Sequence, residues 1–182
     1  LKASFDESAG GFGQAPKFPT PHNLLFLLQQ YEAGGDTDAL AMAETTLRQM
    51  YKGGLFDHIG YGFSRYSTDR FFLVPHFEKM LYDNALLMLS HCKAYDVTKN
   101  TFYRDVAQKT AQYILREMTA PEGGFYSAQD ADSDGVEGKY YVFDPGEITT
   151  LLGQHTGTAF AAYYDISAKG NFEGKSIPSL LK

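Results

Sequence analysis

The sequence has little cysteine, little positive charge and no long apolar stretch. Cys92 is the single cysteine, which excludes an intrachain disulfide, a C-x-x-C redox pair and a cysteine zinc site. The most apolar run, Leu24 to Leu28, is far too short to span a bilayer. Lys and Arg number 16 against 22 Asp and Glu, and the net charge of −6 argues against nucleic-acid binding, because phosphate groups need a basic patch. No signal peptide opens the sequence, so we expect a cytoplasmic protein.

Apolar and aromatic residues are plentiful. Of the 182 residues, 43% are hydrophobic, including 14 Phe and 13 Tyr, so the chain can bury the core of one domain. Apolar residues at helical spacing, bordered by glycine or proline, predict four long helices. Thr20 and Pro21 are the expected cap and first residue of the first helix. The predicted helices cover residues 21–33, 36–52, 75–97 and 101–118.

The four helices alternate in character. The second and fourth have one apolar and one polar face, as surface helices do. The first and third are apolar nearly all round at residues 24–28 and 85–89, which predicts that neighbouring elements enclose them. Cys92 falls inside the third helix, so we expect a buried and inert thiol.

Glycine pairs followed by aromatic residues recur at 10–12, 53–56 and 123–126. A Gly-Gly-aromatic loop, an inner helix and an outer helix form one repeat, and about two and a half repeats are present. Such repeats stack helical hairpins and bury a continuous core between neighbours. The pattern therefore predicts an all-α array of helical hairpins.

The residues after Gly123 predict smaller elements. Strand-like composition at 125–127 and 139–143 predicts a small β-hairpin on the loop side of the helices. Asp144 then fits the cap of a short helix, with proline and glutamate at its first and third positions. Another short helix is expected over 157–164, followed by a loop-like tail from residue 170.

The densest polar cluster is the acidic stretch D-A-D-S-D-G at 130–135. It matches the opening of a calcium loop, but position 12, where that loop needs a glutamate, is Tyr141. A solvated acidic turn is the second interpretation. In the third, carboxylates of this stretch, among them Asp130 and Asp132, line a cleft beside Glu137 and Lys139.

A second polar cluster opens the predicted third helix. His76, Lys79 and Asp83 recur at spacings of three and four, so on a helix they share a face, and Glu78 and Tyr82 form another such pair. The N-terminal end of a helix presents free backbone donors that can receive a polar ligand. Burying each polar group without a partner would cost about 1–3 kcal/mol. The cluster is therefore either a hydrogen-bond network that ties helix to loops, or a binding or catalytic site.

The loop at 56–66 places aromatic residues between glycines, together with Asp57, His58, Arg65 and Tyr66. Aromatic faces stack on sugar rings, and charged groups can hold the hydroxyls. The loop is therefore typical of a sugar-contacting surface. Packing of the loop by its own aromatic rings is the alternative.

Three segments carry the motifs of a known family: GGFGQAPKFP at 10–19, VPHFEKMLYD at 74–83 and GGFYSAQDADSDGVEGKYYV at 123–142. On these segments the sequence resembles the spermatogenesis-associated protein 20-like family. Its members are thioredoxin-domain-containing proteins of unknown function. The match covers nearly all of the chain. The resemblance implies an N-terminal thioredoxin-like domain followed by a six-hairpin (α/α) toroid, similar to that of N-acylglucosamine 2-epimerases and six-hairpin glycosidases.

The resemblance implies that residues 1–182 are part of the first half of that ring. The expected fold is all-α, an incomplete (α/α) toroid with a small β-hairpin, without the thioredoxin-like domain or the rest of the toroid. The thioredoxin-like domain is then an expected partner within the full-length protein. An incomplete ring exposes an apolar flank, so we also expect a homodimer through the cut edge, or a tail after residue 170 that fills the gap.

The leading functional hypothesis is a carbohydrate-related enzyme with a sugar or sugar derivative as ligand and without cofactor or metal. An epimerase-like reaction would use His58 and His76 as bases on opposite faces of a sugar carbon. A glycosidase-like reaction would use Asp83 with Asp130 or Asp132. The candidate substrate-binding residues are Asp57, Arg65, Tyr66, Glu78, Lys79, Tyr82 and Glu137.

The second hypothesis is a non-catalytic interaction module. In this case the toroid would present a client or partner to the thioredoxin-like domain, and its polar residues would serve structure or docking. A cleft filled by the chain's own side chains would favour the module, whereas a sugar in the cleft would favour the enzyme.

Overall fold

The computed structural model describes residues 1–182, with six α-helices and six two-residue strands. The helices are α1 (Pro21–Gly34), α2 (Thr37–Lys52), α3 (Leu81–Thr98), α4 (Thr101–Glu117), α5 (Pro145–Leu152) and α6 (Gln154–Tyr163). The strands are β1 (Tyr66–Ser67), β2 (Pro75–His76), β3 (Lys79–Met80), β4 (Ala128–Gln129), β5 (Asp132–Ser133) and β6 (Val136–Glu137). They form three antiparallel pairs, β1–β2, β3–β4 and β5–β6. None of the helices combines the length and apolar content that crossing a membrane requires.

The borders of α1, α2 and α4 confirm the sequence prediction to within one residue. Asp36 caps α2 by accepting a hydrogen bond from the backbone of Ala39, and Asn100 caps α4. Thr20 does not cap α1, and that prediction was wrong. Its backbone is left-handed, with φ of 42°, and its hydroxyl makes no capping bond and is buried without a partner. Pro21 does occupy the first turn, where its missing N–H costs nothing.

The predicted start of α3 was wrong, because the helix begins at Leu81 and the strands β2 and β3 occupy four of the six residues before it. Strand β2 pairs with β1, and β3 pairs with β4, so the backbone groups of this segment bond to distant strands. His76, Lys79 and Asp83 therefore do not share a helical face. His76 and Lys79 lie on strands, and only Asp83 lies on the helix, so their spacing of three and four residues has no helical meaning.

Two helical hairpins pack side by side and form the main core. Helix α1 packs against α2 and α3, and α3 packs against α4. Helices α2 and α4 bury one face, as predicted, and each fully buried leucine stabilises the fold by roughly 1.5–3 kcal/mol. Helices α5 and α6 pack mainly on each other. The core includes Leu24, Leu28, Leu47, Leu87 and Val106.

The inner helices α1 and α3 are not enclosed, which differs from the prediction. Phe26 on α1 and Leu86 and Leu89 on α3 are exposed, and so is Cys92. An array of two hairpins gives each inner helix too few neighbours to cover its whole circumference. The prediction of a buried thiol was therefore also wrong for this chain.

The loop before α1 and the loop before α3 have the same backbone construction. Phe5 pairs with Phe12 across the first loop, and Phe56 pairs with Phe63 across the second. The predicted repeat is present but shifted, because the counterpart of Gly11–Phe12 is Gly62–Phe63 and not the Gly53–Gly54 pair. Gly62 has a φ of +81°, and a Cβ there would lie 2.5 Å from the ring of Tyr113.

The small β-hairpin is shorter than predicted and lies within the stretch that was expected to connect its two strands. It is formed by β5 and β6, and Asp134 and Gly135 make its two-residue turn with φ of 53° and 74°. Residues 125–127 are not a strand, and Lys139–Tyr141 forms a 3₁₀ turn. The capping box of α5, between Asp144 and Glu147, confirms the predicted helix start, and α6 begins three residues before the predicted 157.

The tail after residue 170 is loop-like, as predicted, and packs on the end of α2. Ile177 and Ser179 are buried, and the backbone N–H of Leu180 donates to the carbonyl of Lys52 at 2.6 Å. The tail lies over Gly54 and His58 and does not cover the exposed apolar residues of α1 and α3.

Candidate functional site

Most of the predicted site residues meet at the N-terminal end of α3. Strand pairing places Tyr66 on β1 directly opposite His76 on β2, and their rings stack with centroids 5.1 Å apart. The Nδ1 of His76 donates a hydrogen bond of 2.7 Å to Glu137 on β6, and its Nε2 lies 3.8 Å from Glu78. Glu137 in turn faces Asp132 across the β5–β6 pair. The acidic hairpin thus lies at the same end of α3 as His76.

Arg65 and Glu78 form the charged centre of this cluster. The Nη1 of Arg65 donates to Oε2 of Glu78 at 2.8 Å, and this bond raises the pKa of Arg65. The half-exposed ring of Tyr82 lies beside the guanidinium and raises the same pKa further. The Nε of Arg65 is buried and has no hydrogen-bond partner in the chain. The cluster therefore contains one strong donor that the protein itself does not use.

Asp83 is a mostly buried residue whose carboxyl group bonds no other residue of the chain. It lies in the first turn of α3, is 8% exposed, and accepts no hydrogen bond from the chain. Burial raises the pKa of Asp83 to about 6, with a smaller contribution from Glu78, while the charge of Arg65 opposes the shift. At neutral pH this group can therefore exchange a proton. Glu78 is the carboxylate that contributes to the pKa of Asp83, and neither Asp130 nor Asp132 does.

Asp57 and Lys79 form a second, buried ion pair. The Nζ of Lys79 donates to Oδ2 of Asp57 and to the carbonyl of Tyr61, both at 2.8 Å. The ammonium also lies over the rings of Tyr113 and Tyr141, and burial lowers the pKa of Lys79. Lys79 is only 1% exposed, so its position supports a structural role more than contact with a substrate.

His58 is separated from His76 by the packing of the loop. Its ring is buried among Tyr51, Phe56 and Tyr164, with Ile177 of the tail lining the same small cavity. Burial lowers the pKa of His58 to about 4, although the backbone carbonyls at the end of α2 oppose the shift. The structure shows no contact between the two histidines that were predicted to act as a pair of bases.

The acidic stretch forms the turn of the β5–β6 hairpin. Asp130 accepts a bond from the backbone of Asp132 at 3.1 Å, and Asp134 pairs with Lys139 at 2.8 Å. Both Asp130 and Asp132 are exposed. No three acidic, histidine or cysteine side chains come together as a metal site would require.

Phe18 belongs to the site but escaped the sequence analysis. Its ring is 50% exposed and stacks on Tyr66 with centroids 4.8 Å apart. Lys17 pairs with Ser67 through two backbone hydrogen bonds of 2.9 and 2.8 Å, which places Phe18 next to Tyr66. No local pattern predicts this pairing, because the two segments are far apart in the sequence.

Comparison with known proteins identifies the relatives of the chain. No family model matches it. The chain is 41% identical to spermatogenesis-associated protein 20 of Mus musculus over 198 residues, which is 98% of this chain and 25% of the relative. The chain is homologous to the spermatogenesis-associated protein 20 family. The Homo sapiens member gives the same identity over 197 residues, and the chain spans about a quarter of the length of these relatives. The resemblance predicted from the motifs is confirmed.

Solved structures share the fold of this homologue at low sequence identity. Cellobiose 2-epimerase from Spirochaeta thermophila superposes with a TM-score of 0.64 and 19% identity, covering 70% of this chain and 35% of that one. The cellobiose 2-epimerase from Bacillus thermoamylovorans gives a TM-score of 0.64 at 14% identity and covers 90% and 51%. A family 76 mannosidase from Bacteroides thetaiotaomicron gives 0.54 at 19% identity and covers 62% and 30%. The fold is an incomplete (α/α) toroid, as predicted.

Proposed function

We propose that this chain is part of a carbohydrate-active enzyme, with its acid–base site at the N-terminal end of α3. Asp83 carries the proposal, because its residue is mostly buried, its pKa is raised, and its carboxyl group bonds no other residue and so is available for proton transfer. The partly exposed side chain of Arg65 and the half-exposed ring of Tyr82 offer contacts for a sugar. The fold neighbours act on sugars, which supports the same ligand class.

The combination of a carboxyl group with a raised pKa, Asp83, and a carboxylate bonded to arginine, Glu78, supports glycoside cleavage best. Asp83 would donate its proton to the glycosidic oxygen, and the bonding electrons of the broken C–O bond would pass to that oxygen. Glu78, held beside Arg65, would take a proton from the water that adds to the anomeric carbon. Solvent would then return each carboxyl group to its starting state. The mannosidase among the fold neighbours is consistent with this chemistry.

An epimerase-like reaction is the alternative enzyme, and His76 is the residue that favours it. His76 is partly exposed, and Glu137 fixes the hydrogen on its Nδ1, so Nε2 would be free to take a proton from a sugar carbon. Asp83 would then be the group that supplies a proton to the other face. The two cellobiose 2-epimerases have the higher TM-scores among the neighbours described.

A glycosidase and an epimerase give different products, so one assay separates them. We would incubate the full-length protein with cellobiose and mannobiose and analyse the products by chromatography. Monosaccharides are expected from cleavage, and an epimerised disaccharide from the alternative. Asp83→Asn should abolish the product, and Asp96→Asn, an exposed carboxylate on the same helix, should not. Full activity in Asp83→Asn would refute the proposal.

The non-catalytic module remains a second candidate, favoured by the filled cavity at His58. The chain's own aromatic rings and tail occupy the space around this histidine. The toroid would then present a client to a thioredoxin-like domain elsewhere in the full-length protein. Co-purification of trapped clients with a resolving-cysteine variant of that domain, lost when the toroid is removed, would support the module. Sugar turnover that depends on Asp83 would contradict it.

A further inference from the structure

Phe18, Tyr66 and His76 form one continuous stack of three rings at the surface. The centroid separations are 4.8 Å between Phe18 and Tyr66 and 5.1 Å between Tyr66 and His76, and the rings of each pair are inclined by less than 30°. The rings come from three separate segments. Phe18 occupies the outer position and exposes half of its surface.

The backbone holds the stack in place before any ligand binds. Tyr66 and His76 are register partners in the β1–β2 pair, and Lys17 and Ser67 bond each other through both backbone groups. Glu137 fixes the orientation of the His76 ring. A surface prepared in this way loses little side-chain entropy on binding, which favours affinity.

The position of the stack relative to Asp83 decides what it can bind. His76 lies beside Glu78, and Glu78 bonds Arg65, which influences the pKa of Asp83. Tyr66 lies between Phe18 and His76 in the stack, so Phe18 is two ring spacings, of 4.8 and 5.1 Å, beyond the histidine that neighbours Glu78. We therefore expect a sugar unit held beside Glu78 and Asp83 to leave the open face of Phe18 free for a second linked unit.

We propose that Phe18 is the platform for a second sugar unit, so that the substrate is a disaccharide or a longer saccharide and not a monosaccharide. The apolar C–H face of a pyranose ring complements the exposed aromatic face. Covering this face breaks no hydrogen bond to water. This inference rests on the proposed function, because it uses the same site. It adds the minimum length of the substrate and a residue that determines it.

Calorimetric titration of the full-length protein with cellobiose and with glucose tests the platform. Phe18→Ala should weaken cellobiose binding about tenfold and change glucose binding less than twofold. Tyr163→Ala, which removes a still more exposed ring from α6, should change neither. Equal affinity of wild type and Phe18→Ala for cellobiose, with glucose still bound, would overturn this inference alone. Failure of wild type to bind either sugar would overturn the proposed function as well.

The absence of tryptophan from the sequence provides an independent readout. Phe18→Trp introduces a tryptophan at the platform and retains an aromatic face, and subtraction of the wild-type spectrum of the full-length protein isolates its emission. Its emission should change on addition of cellobiose and remain unchanged with glucose, whereas Tyr163→Trp should respond to neither. An equal response of both variants to cellobiose would show that the signal does not come from a platform at Phe18, and would contradict the inference.

Discussion

Lys17 and Lys79 occupy the same position in two copies of one loop. Lys17 donates to Asp6 and to the carbonyl of Gly10, both at 2.7 Å, as Lys79 donates to Asp57 and to the carbonyl of Tyr61, both at 2.8 Å. Each ammonium also lies over an aromatic ring. Because both hairpins contain the pair, we interpret it as the element that fixes each loop to the end of an inner helix.

Breaking one of these pairs should destabilise the fold strongly. Asp57→Ala leaves the ammonium of Lys79 buried and unpaired, and we expect a loss of about 3–5 kcal/mol in the free energy of unfolding. Adding Lys79→Met should recover much of that loss, because no buried charge then remains. Urea unfolding of both variants measures the difference.

The exposed pair between Lys2 and Asp38 is the matched control for the ion-pair experiment. Lys2→Ala should leave the unfolding midpoint unchanged, because water screens a surface pair. A midpoint for Asp57→Ala that equals the wild-type value would show that the buried pair does not hold the loop.

Asp83 should make the protein less stable as the pH rises. The pKa of Asp83 is raised from 3.8 to about 6 in the folded state, so the stability present below pH 4 is lost as the pH passes through 6. Asp83→Asn removes this loss and should be about 2 kcal/mol more stable than wild type at pH 7, but equally stable at pH 4. Urea unfolding of wild type and Asp83→Asn at four pH values between 4 and 7 measures this difference in the free energy of unfolding.

Asp96→Asn, on the exposed side of the same helix, should follow the wild-type pH profile. Destabilisation of Asp83→Asn by about 3 kcal/mol at pH 7 would instead identify Asp83 as a partner of a buried cation and would contradict its catalytic assignment. Arg65 already pairs with Glu78, and Lys79 with Asp57, so no such cation bonds Asp83 directly.

Two buried histidines should produce the opposite pH dependence. Burial lowers the pKa of His58 and of His91 from 6.5 to about 4. Their contribution to stability is complete above pH 6.5 and is lost as the pH falls through 4, by up to about 3 kcal/mol for each residue. In His91→Gln, the free energy of unfolding should therefore decrease less than in wild type as the pH falls from 6.5 to 4.

The exposed His155 provides the control for this experiment, since His155→Gln removes a histidine that water already solvates. Its acid unfolding should coincide with that of wild type. A His91→Gln profile as steep as that of wild type would show that other groups drive acid unfolding.

The exposed apolar residues of α3 should cause self-association of the isolated 182-residue chain. Leu86 and Leu89 face water, and the tail does not cover them. We expect a dimer in sedimentation velocity, and the double variant Leu86→Glu, Leu89→Glu should weaken it at least about tenfold. Leu151→Glu, at a more exposed site on α5, should leave the dimer intact. A monomer at every concentration of wild type would contradict the expectation.

The sequence by itself determined the order of the helices and most of their borders. Local signals set these borders: Asp36 and Asn100 cap α2 and α4, Pro21 opens α1, and the capping box of Asp144 opens α5. The glycine–aromatic loops indicated a hairpin repeat, although their register was shifted. The motifs that matched a known family identified the toroid. All of these signals lie within a few residues of the element that they specify.

Only the tertiary structure decided how the site is assembled. The residues before Leu81 look helical in spacing, yet pairing of β2 with β1 and of β3 with β4 holds them extended. Contacts between distant segments also bring Glu137 to His76 and Phe18 to Tyr66. Packing of the His58 ring among aromatic residues keeps it apart from His76. Strand pairs join segments distant in sequence, and burial depends on every neighbour of a residue. The pKa of Asp83 and the stack on Phe18 therefore follow from contacts that no local pattern specifies.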